Sequence, residues 1–366
     1  MEYSNRTYPE IGSHFWWDEG DRQNDSLKQY VPFHGASDHA FTFSGRTAIS
    51  LALRDILSVR EIPRTAYVPS YCCMSMLQPF LDLGFRLEYY DVVFRDGHFV
   101  SLADEKHECG VFLIMRYFGL SDPEWNKTVE RMRSKNAVII EDATHSLLCS
   151  EPVSSMSDYF VASLRKWFAI PTGGLYGRVN GSLKVKPDIN SAGAVAGKIQ
   201  AMKEKCAFIS GEPADKDSIL ERFGEFEKDL LSVDPMMQID PVSECLLDQL
   251  DIPKIVDARR RNADVLMRRL KKYDGKLMQL PDFQEADSTP LFLPVIMRNS
   301  ERDSLRKFLI ERMIYCPVHW PKIADVSEGI EQQELSLICD QRYSENDMTV
   351  IADAVDEWYQ SSCDRE

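Results

Sequence analysis

The chain has 366 residues, of which 44% are hydrophobic and 28% charged, so it holds enough apolar material for a large core. Its formal net charge of −15 argues against nucleic-acid binding, because phosphate neutralisation requires clustered cationic side chains. No secretory signal opens the sequence, no apolar run approaches the ~20 residues of a membrane helix, and the nine cysteines lack metal-ligand spacing. We therefore expect a cytoplasmic protein with free thiols, no metal and no membrane contact.

Strand-like and helix-like stretches alternate through the first half of the chain, a pattern typical of a layered α/β sheet. In chain order, the pattern predicts a strand or turn at 41–43, a helix at 47–57, a strand at 67–69, a helix at 76–83, and strands at 86–92, 111–115 and 138–140. Residues 138–140 are an apolar run between polar residues, which is typical of a parallel strand covered on both faces.

In the second half of the chain the composition changes at about Gly181, after which Lys and Glu are more frequent. Helices are predicted at 217–231, from about Val242 to a stop before Pro253, at 255–270, at 302–312 and up to about Tyr359, with a strand at 291–296. The predicted large domain covers residues 1–249, with an N-terminal arm at about 1–38 and a divergent segment at about 181–240. The predicted smaller domain covers residues 250–366.

Lys166 lies in Ser163-Leu164-Arg165-Lys166-Trp167, between two short predicted strands and before the Gly173-Gly174 pair. This setting suits a buried amine close to tightly packed backbone. A desolvated lysine amine is nucleophilic and forms an imine with an aldehyde. A solvated surface lysine is the ordinary alternative for any single lysine.

The second pattern is Glu141-Asp142-Ala143-Thr144-His145, which follows the strand at 138–140. Ligands of parallel α/β sheets bind at the carboxyl ends of strands. A carboxylate there can pair with a pyridinium nitrogen, and His145 can face the same ligand. Taken alone, Asp142 is equally well explained as a helix cap and His145 as a core histidine.

Two further patterns sit at the start of a predicted helix and at a strand end. Ser44-Gly45-Arg46-Thr47 can bind phosphate through free backbone amides, or it can be a capped helix with a glycine turn. Val68-Pro69-Ser70-Tyr71-Cys72-Cys73 can bring a side chain over a flat ring, or it can be a plain strand-to-helix turn.

In order and spacing, the four patterns resemble the DegT/DnrJ/StrS-type sugar aminotransferases, which are pyridoxal 5′-phosphate (PLP) enzymes of the aspartate-aminotransferase fold, fold type I. The resemblance spans about residues 40–180 and 240–360 and includes residues 314–321 and 335–337. It implies an α/β fold in which helices sandwich the mainly parallel central sheet of a large domain, joined to a smaller C-terminal α/β domain.

The resemblance also implies roles for individual residues. Lys166 is expected to carry PLP as a Schiff base and Asp142 to pair with its pyridine nitrogen, and these two are the expected catalytic residues. The other expected cofactor contacts are Gly45, Arg46, Thr47, Tyr71, Cys73, His145 and Ser163. Substrate contacts are expected from His319 and Tyr117.

Three positions depart from the family pattern. Ser163 lies closer to Lys166 than the family's usual serine. Cys73 stands where an aromatic ring usually stacks on PLP, so either Tyr71 stacks instead or nothing does. The family's Asn-containing stretch, which reaches a neighbouring subunit's phosphate, is replaced around residues 236–239, and another residue of 181–250 is expected to take its place in a homodimer.

The function implied by the resemblance is transfer of an amino group from an amino acid, with glutamate as the expected donor, to a keto-sugar that is nucleotide-linked. Another PLP reaction, such as that of a lyase or a dehydratase, and a non-catalytic binding or regulatory role are the alternatives. The family's dehydratases have histidine at the position of Lys166, so the lysine favours transamination.

Overall fold

The computed structural model describes residues 7–18, 36–104, 106–151, 153–283, 288–298, 301–320, 322–323 and 329–363. Much of the predicted N-terminal arm and Pro321 of the C-terminal motif lie outside the described residues. No helix in the described part of the chain is both long and apolar enough to cross a membrane.

An eight-stranded sheet forms the centre of the described structure. Its strands are β2 (Asp38–Thr42), β3 (Thr65–Pro69), β4 (Arg86–Arg95), β5 (His98–Leu102), β6 (Val111–Met115), β7 (Val138–Asp142), β8 (Tyr159–Ser163) and β9 (Gly174–Arg178). Their order in the sheet is β2-β9-β8-β7-β6-β3-β4-β5. The five strands β8, β7, β6, β3 and β4 are parallel, whereas β2, β9 and β5 pair antiparallel to their neighbours. Every residue of β6 and β7 is buried, as expected for parallel strands covered on both faces.

Three helices follow strands of this sheet, namely α1 (Gly45–Val59), α2 (Met74–Asp82) and α3 (Trp125–Ser134). Their apolar faces join the sheet in the main hydrophobic core. The predicted helices at 47–57 and 76–83 are confirmed within a few residues. Helix α3 was not predicted.

A second core forms around the antiparallel sheet β10 (Met278–Gln279), β11 (Leu293–Met297) and β13 (Glu334–Leu337). It includes residues of α7 (Ile252–Leu270), α8 (Glu301–Glu311) and α10 (Glu345–Cys363), whereas the short α9 (Ile330–Gln333) contributes Ile330 to the main core. The N-terminal strand β1 (Ile11–Gly12) pairs in parallel with β12 (Ile314–Tyr315), and Trp16 is buried in the same core. Residues 11–16 therefore pack with the C-terminal part, although the sequence assigned them to the large domain.

The divergent segment contains α4 (Ala196–Ile209) and α5 (Lys216–Asp229), which pack on each other, and α6 (Pro241–Leu247) follows it. Phe226 and Leu230 at the end of α5 pack on Phe43, directly before α1. Trp17 packs against the small apolar cluster between α4 and α5. The segment thus lies over the start of α1 within the same chain.

Candidate functional site

Two cavities meet at Lys166. The first, here the aspartate cavity, has a volume of about 140 Å³ and is lined by Asp142, Lys166 and the start of α1. The second, here the arginine cavity, has a volume of about 380 Å³ and lies between Lys166 and the C-terminal part of the chain. Arg165, Lys166 and Glu227 line both cavities.

Lys166 ends a single 3-10 turn, Leu164–Lys166, that follows directly after β8. Thr144 holds this turn from the neighbouring strand end: its Oγ1 accepts from the Ser163 amide at 3.0 Å, and its carbonyl accepts from the Trp167 indole at 2.6 Å. Thr144 lines the aspartate cavity but was given no role from the sequence, although it lies inside the motif at 141–145. These two hydrogen bonds to one threonine link the turn that contains Lys166 to the strand end at Asp142.

Asp142 is the last residue of β7 and is 3% exposed. Its Oδ1 accepts from the Thr144 amide at 2.8 Å in a turn, so it stabilises a turn rather than capping a helix. Burial raises the pKa of the Asp142 carboxyl, against the opposing effects of the Thr144 hydrogen bonds and the charge of Lys166. A positively charged ligand group next to Asp142 would therefore favour the ionised form of its carboxyl group.

His145 is completely buried beside the aspartate cavity. The Phe118 amide donates to its Nδ1 at 3.1 Å, which leaves the ring proton on Nε2 in the neutral ring. Burial lowers the pKa of His145 well below its ordinary value, and Lys166 and His319 lower it further. Nε2 has no hydrogen-bond partner among the described residues, so a buried donor is free for a ligand.

The start of α1 forms the opposite wall. Ser44 and Thr47 form a capping box in which each hydroxyl accepts from the other residue's amide, at 3.2 and 2.8 Å. The first helical residues, Gly45 and Arg46, keep amides that have no intrahelical partner, and both line the cavity. A Cβ atom on Gly45 would lie 3.0 Å from the Cβ of Ser163, so a side chain here would press on the cavity wall.

An aromatic side chain from the distant C-terminal motif completes the aspartate cavity. Trp320 lines it, and its ring is stacked on His145 at 5.4 Å and lies 5.6 Å from Lys166 Nζ. Cys73 also lines the cavity, but Tyr71 does not: it is buried behind Trp320, with ring centroids 5.1 Å apart. The sequence did not assign Trp320 a role.

Other predicted residues lie at different distances from the two cavities. Thr47 is buried within the capping box, and the Tyr117 hydroxyl donates to the Tyr71 carbonyl at 2.6 Å, so neither lines a cavity. His319 lines the arginine cavity, with its Nδ1 2.9 Å from the Ser336 hydroxyl. Ser163 lines the aspartate cavity as expected.

Glu227 on α5 is the most unexpected residue of the site, since no sequence signal pointed to it. Its carboxylate lies 2.8 Å from the Arg165 guanidinium and 3.5 Å from Lys198 Nζ. Leu230 and Leu231, just beyond α5, also line the aspartate cavity. The divergent segment therefore covers the site of its own chain.

No family model matches the sequence, and no curated protein matches it. Solved structures do match. The Helicobacter pylori aminotransferase PseC matches with a TM-score of 0.67 and 15% identity, over 96% of this chain and 100% of that one. The Escherichia coli GDP-4-keto-6-deoxy-D-mannose-3-dehydratase with bound hydrated PLP matches with a TM-score of 0.63 and 13% identity, over 95% and 99%.

A DegT DnrJ EryC1 StrS aminotransferase from Brucella abortus matches with a TM-score of 0.60 and 15% identity, over 90% of this chain and 88% of that one. The chain has the PLP-dependent transferase fold, fold type I. The predicted fold class is thereby confirmed, with the large, mainly parallel sheet between helices and the smaller C-terminal α/β part.

Proposed function

We propose that the chain is a PLP-dependent aminotransferase in which Lys166 holds the cofactor and Asp142 lies against its pyridine nitrogen. One observation carries this proposal: a lysine, a buried carboxylate and a helix start from three separate parts of the chain line one cavity of about 140 Å³. The site lies at the carboxyl ends of β7 and β8, where parallel α/β sheets bind ligands.

The chemistry of the lining residues fits PLP at three points. The amides of Gly45 and Arg46 at the start of α1 suit a phosphate group. The Asp142 carboxyl, whose pKa is raised by burial, suits a protonated ring nitrogen. The free Nε2 proton of His145 suits an oxygen acceptor on the ring. When bound, PLP supplies an electron sink for the carbon that loses or gains a proton.

The side chains around the cofactor would have different roles. The Lys166 amine would hold the cofactor and would move the proton at the substrate carbon as general base and acid. Thr144 holds the turn of Lys166 beside Asp142, because its hydroxyl accepts from the Ser163 amide and its carbonyl accepts from the Trp167 indole. Trp320 and the buried Tyr71 behind it keep water away from one side of the cavity.

For the substrates, we propose an amino-acid donor such as glutamate and a keto-sugar acceptor carried on a nucleotide. Two structurally similar proteins support a sugar substrate: PseC is involved in the biosynthesis of pseudoaminic acid, and the structure of DesI contains its TDP-sugar product. One of the structurally similar proteins is a dehydratase with bound PLP, so a dehydratase reaction is the second candidate function. Lys166 favours transamination over that reaction.

We also propose that the protein works as a cytoplasmic homodimer. Trp16 supplies no dimer surface, since it is buried in the second core of its own chain. Because Glu227 of α5 lines the site of its own chain, the residue of 181–250 that we propose to reach the neighbouring subunit's site has to come in addition to Glu227. Sedimentation analysis of the purified protein tests the dimer, and an active monomer would contradict it.

The function is tested by spectroscopy of the purified protein incubated with PLP. We expect visible absorbance from the Lys166-bound cofactor, its loss on addition of L-glutamate, and its recovery on addition of a nucleotide-linked keto-sugar. Absorbance that L-glutamate leaves unchanged, while a deoxysugar precursor is dehydrated, would support the second candidate. No visible absorbance at all would contradict both and leave a non-catalytic role.

A further inference from the structure

A series of three hydrogen-bonded side chains runs from the protein interior to the arginine cavity. Here called the Glu334 series, it consists of Glu334, Ser336 and His319. The Ser336 hydroxyl lies 2.5 Å from Glu334 Oε1 and 2.9 Å from His319 Nδ1. Glu334 and Ser336 are fully buried, whereas His319 lines the cavity together with Lys166. The series therefore connects a buried carboxyl group to a ring that a ligand beside Lys166 can contact.

Backbone contacts hold the Glu334 series in place. Glu334 and Ser336 are two residues apart on β13, so their side chains lie on the same face of the strand. The Ser336 amide donates to the Pro317 carbonyl at 3.1 Å, and the His319 amide donates to Glu334 Oε2 at 2.9 Å. The segment that contains His319 is thus bonded to β13 at two points, and one of them is the Glu334 carboxyl group itself.

The surroundings of Glu334 favour its protonated form. Burial raises the pKa of Glu334 to about 8. Hydrogen bonds from Ser336 and the His319 amide, together with the charge of Arg302, lower this pKa by less than burial raises it. Arg302 also provides only part of a counter-charge, since its Nε already donates to Asp303 at 2.5 Å. The Glu334 carboxyl group therefore holds its proton at neutral pH.

Three other ionisable side chains face the series, and all three are uncharged at neutral pH. Burial raises the pKa of Tyr71 well above its ordinary value and the pKa of Cys316 to about 12. Burial lowers the pKa of His145 well below its ordinary value. Burial and the charge of Lys166 lower the pKa of His319 in the same way. His319 is therefore a neutral ring with a single ring proton.

A protonated Glu334 determines which nitrogen of His319 carries that proton. Because Glu334 Oε2 accepts from the His319 amide, the carboxyl proton lies on Oε1 and is donated to the Ser336 hydroxyl. The hydroxyl then donates its own proton to His319 Nδ1, so the ring proton lies on Nε2. His319 thus presents an N–H donor to a ligand in the arginine cavity.

Ionisation of Glu334 would reverse every hydrogen bond of the series. The Ser336 hydroxyl would donate to the carboxylate and accept from Nδ1 of His319, which leaves Nε2 as an acceptor. A proton that His319 gives to a ligand through Nε2 is therefore replaced, through Ser336, by the proton of Glu334.

Exchange of a carbonyl oxygen for an amino nitrogen requires a proton donor near Lys166. The oxygen leaves as water, so it gains two protons while the attacking amine loses two. The reacting carbon has to lie beside the Lys166 amine, and His319 lines the same cavity. A neutral N–H group suits this position, because it donates a proton without adding a second positive charge beside Lys166.

We propose that Glu334 and Ser336 form a proton relay through which His319 protonates the oxygen of the carbonyl substrate. This inference rests on the aminotransferase function proposed above. Nε2 of His319 gives one proton to the oxygen, Nδ1 takes the proton of Ser336, and Ser336 takes the proton of Glu334. The oxygen takes its second proton from the attacking amine, the carbon–oxygen bond breaks, and water leaves. The remaining proton of the amine returns through His319 to Glu334, so the cycle consumes no proton.

The first test locates the ring proton of His319 by NMR. The full-length protein, labelled with ring-¹⁵N histidine and free of added PLP, is measured at about pH 6.5 and about pH 9.5, and His319→Gln identifies the His319 signals. We expect the proton on Nε2 at the lower pH and on Nδ1 at the higher pH. A proton on Nδ1 at the lower pH, or identical signals at both, would overturn the relay.

Variants of the other two residues sharpen this test. The amide of Glu334→Gln can donate to Ser336 and accept from the His319 amide, so the proton should stay on Nε2 at both pH values. Ser336→Ala should give a mixture of the two tautomers, whereas Ser336→Thr keeps the hydroxyl and should resemble the wild type. Ser134→Ala is the matched control, at the exposed end of α3. An unchanged tautomer in Ser336→Ala would contradict the relay, and if that variant does not fold, Glu334→Gln decides.

The second test separates the relay from the proton transfer at carbon. Exchange of the α-hydrogen of L-glutamate with D₂O on the PLP-loaded protein requires Lys166 but releases no oxygen as water. We expect Glu334→Gln and Ser336→Ala to turn over roughly 100-fold more slowly, with this exchange within threefold of the wild type. Wild-type turnover should fall as the pH rises through about 8, and that of Glu334→Gln should not. Equal losses of exchange and turnover would show damage to packing and overturn the relay.

Failure of the relay and failure of the proposed function give different results. If PLP produces no visible absorbance and borohydride attaches nothing to Lys166, the proposed function fails. If the protein transaminates but the His319 ring proton does not depend on Ser336 and Glu334, only the relay is wrong. The NMR measurement needs no cofactor, so its result is independent of the first outcome.

Discussion

The aspartate and arginine cavities share Lys166, but cationic side chains are in larger excess over carboxylates in the arginine cavity than in the aspartate cavity. The aspartate cavity is formed largely by strand ends and turns of one sheet, with Asp142 and the neutral His145 in its wall. The arginine cavity takes its wall from the N-terminal segment, α4, α5, α7 and the C-terminal part. Local motifs thus supply most of the aspartate cavity, which Trp320 and the end of α5 complete, whereas long-range packing supplies most of the arginine cavity.

The charged side chains of the two cavities favour different ligand groups. The Asp142 carboxyl favours a cationic group in the first cavity, and the excess of cationic side chains favours an anionic group in the second. These preferences agree with the proposal that the first cavity holds the ring nitrogen of the cofactor. The single amine of Lys166 lies where the two ligands have to meet.

The largest expected effect is that of Lys166→Ala, which removes the group common to both cavities. We expect turnover to fall by at least ~10³-fold, because both the attachment point and the proton-transfer group are lost. Borohydride followed by mass spectrometry should place PLP on the peptide that contains Lys166 in the wild-type protein. An adduct on another lysine would show that the two cavities do not meet at the reacting centre.

Asp142→Asn is the next strongest change, and it tests the charge of the aspartate cavity alone. The substitution keeps the shape and the turn but removes the negative charge, so turnover should fall roughly 100-fold with PLP still partly bound. Glu141→Gln is the control: its buried carboxylate accepts from Ser154 and Ser157 outside the cavity and should affect stability more than turnover. Near-normal activity of Asp142→Asn would show that Asp142 only stabilises the turn.

A third prediction concerns stability at the wall of the arginine cavity. Burial raises the pKa of Glu334 to about 8, and its Oε2 accepts from the His319 amide at 2.9 Å. The folded chain holds this proton over a range in which the unfolded chain, with an ordinary pKa near ~4.3, releases it. The resulting stability is complete below about pH 4 and is lost as the pH rises to about 8.

Glu334→Gln should remove this dependence. Between pH 6 and 7.5 the free energy of unfolding should fall by about 2 kcal/mol more in the wild-type protein than in the variant. Urea unfolding at both pH values measures the difference, with exposed Glu345→Gln as the control. Parallel pH dependence of wild type and Glu334→Gln would show that Glu334 is ionised in the folded protein.

The smallest effect concerns which ring lies over the cofactor. Trp320→Leu keeps apolar volume but loses the aromatic face, so the affinity for PLP should fall roughly five- to tenfold. Cys73→Ala should change it less than twofold, since the thiol provides little surface. Equilibrium dialysis against PLP measures both. The reverse ranking would mean that the strand end at Cys73, rather than the C-terminal motif, contacts the ring.

Sequence patterns predicted the elements of the aspartate cavity well because the signals there are local. The apolar run at 138–140 became β7, and the Gly173-Gly174 pair lies where a Cβ on Gly174 would come within 2.0 Å of the Ser44 carbonyl oxygen. Position 174 therefore requires a glycine, because any side chain there would clash with the backbone of Ser44. The sequence pattern did not predict α4. Its buried face carries Lys198 and Lys205, so the helical period does not separate apolar from polar residues.

The amino-acid sequence by itself predicted the α/β fold, because strand periodicity acts over a few neighbours. Its resemblance to the sugar aminotransferases made Lys166 and Asp142 the candidate catalytic residues. Only the tertiary structure decided that Trp320 rather than Tyr71 lines the aspartate cavity and that Glu227 reaches Arg165 from 62 residues away. These contacts depend on how the two cores pack, and no short pattern encodes the distance between residues that far apart.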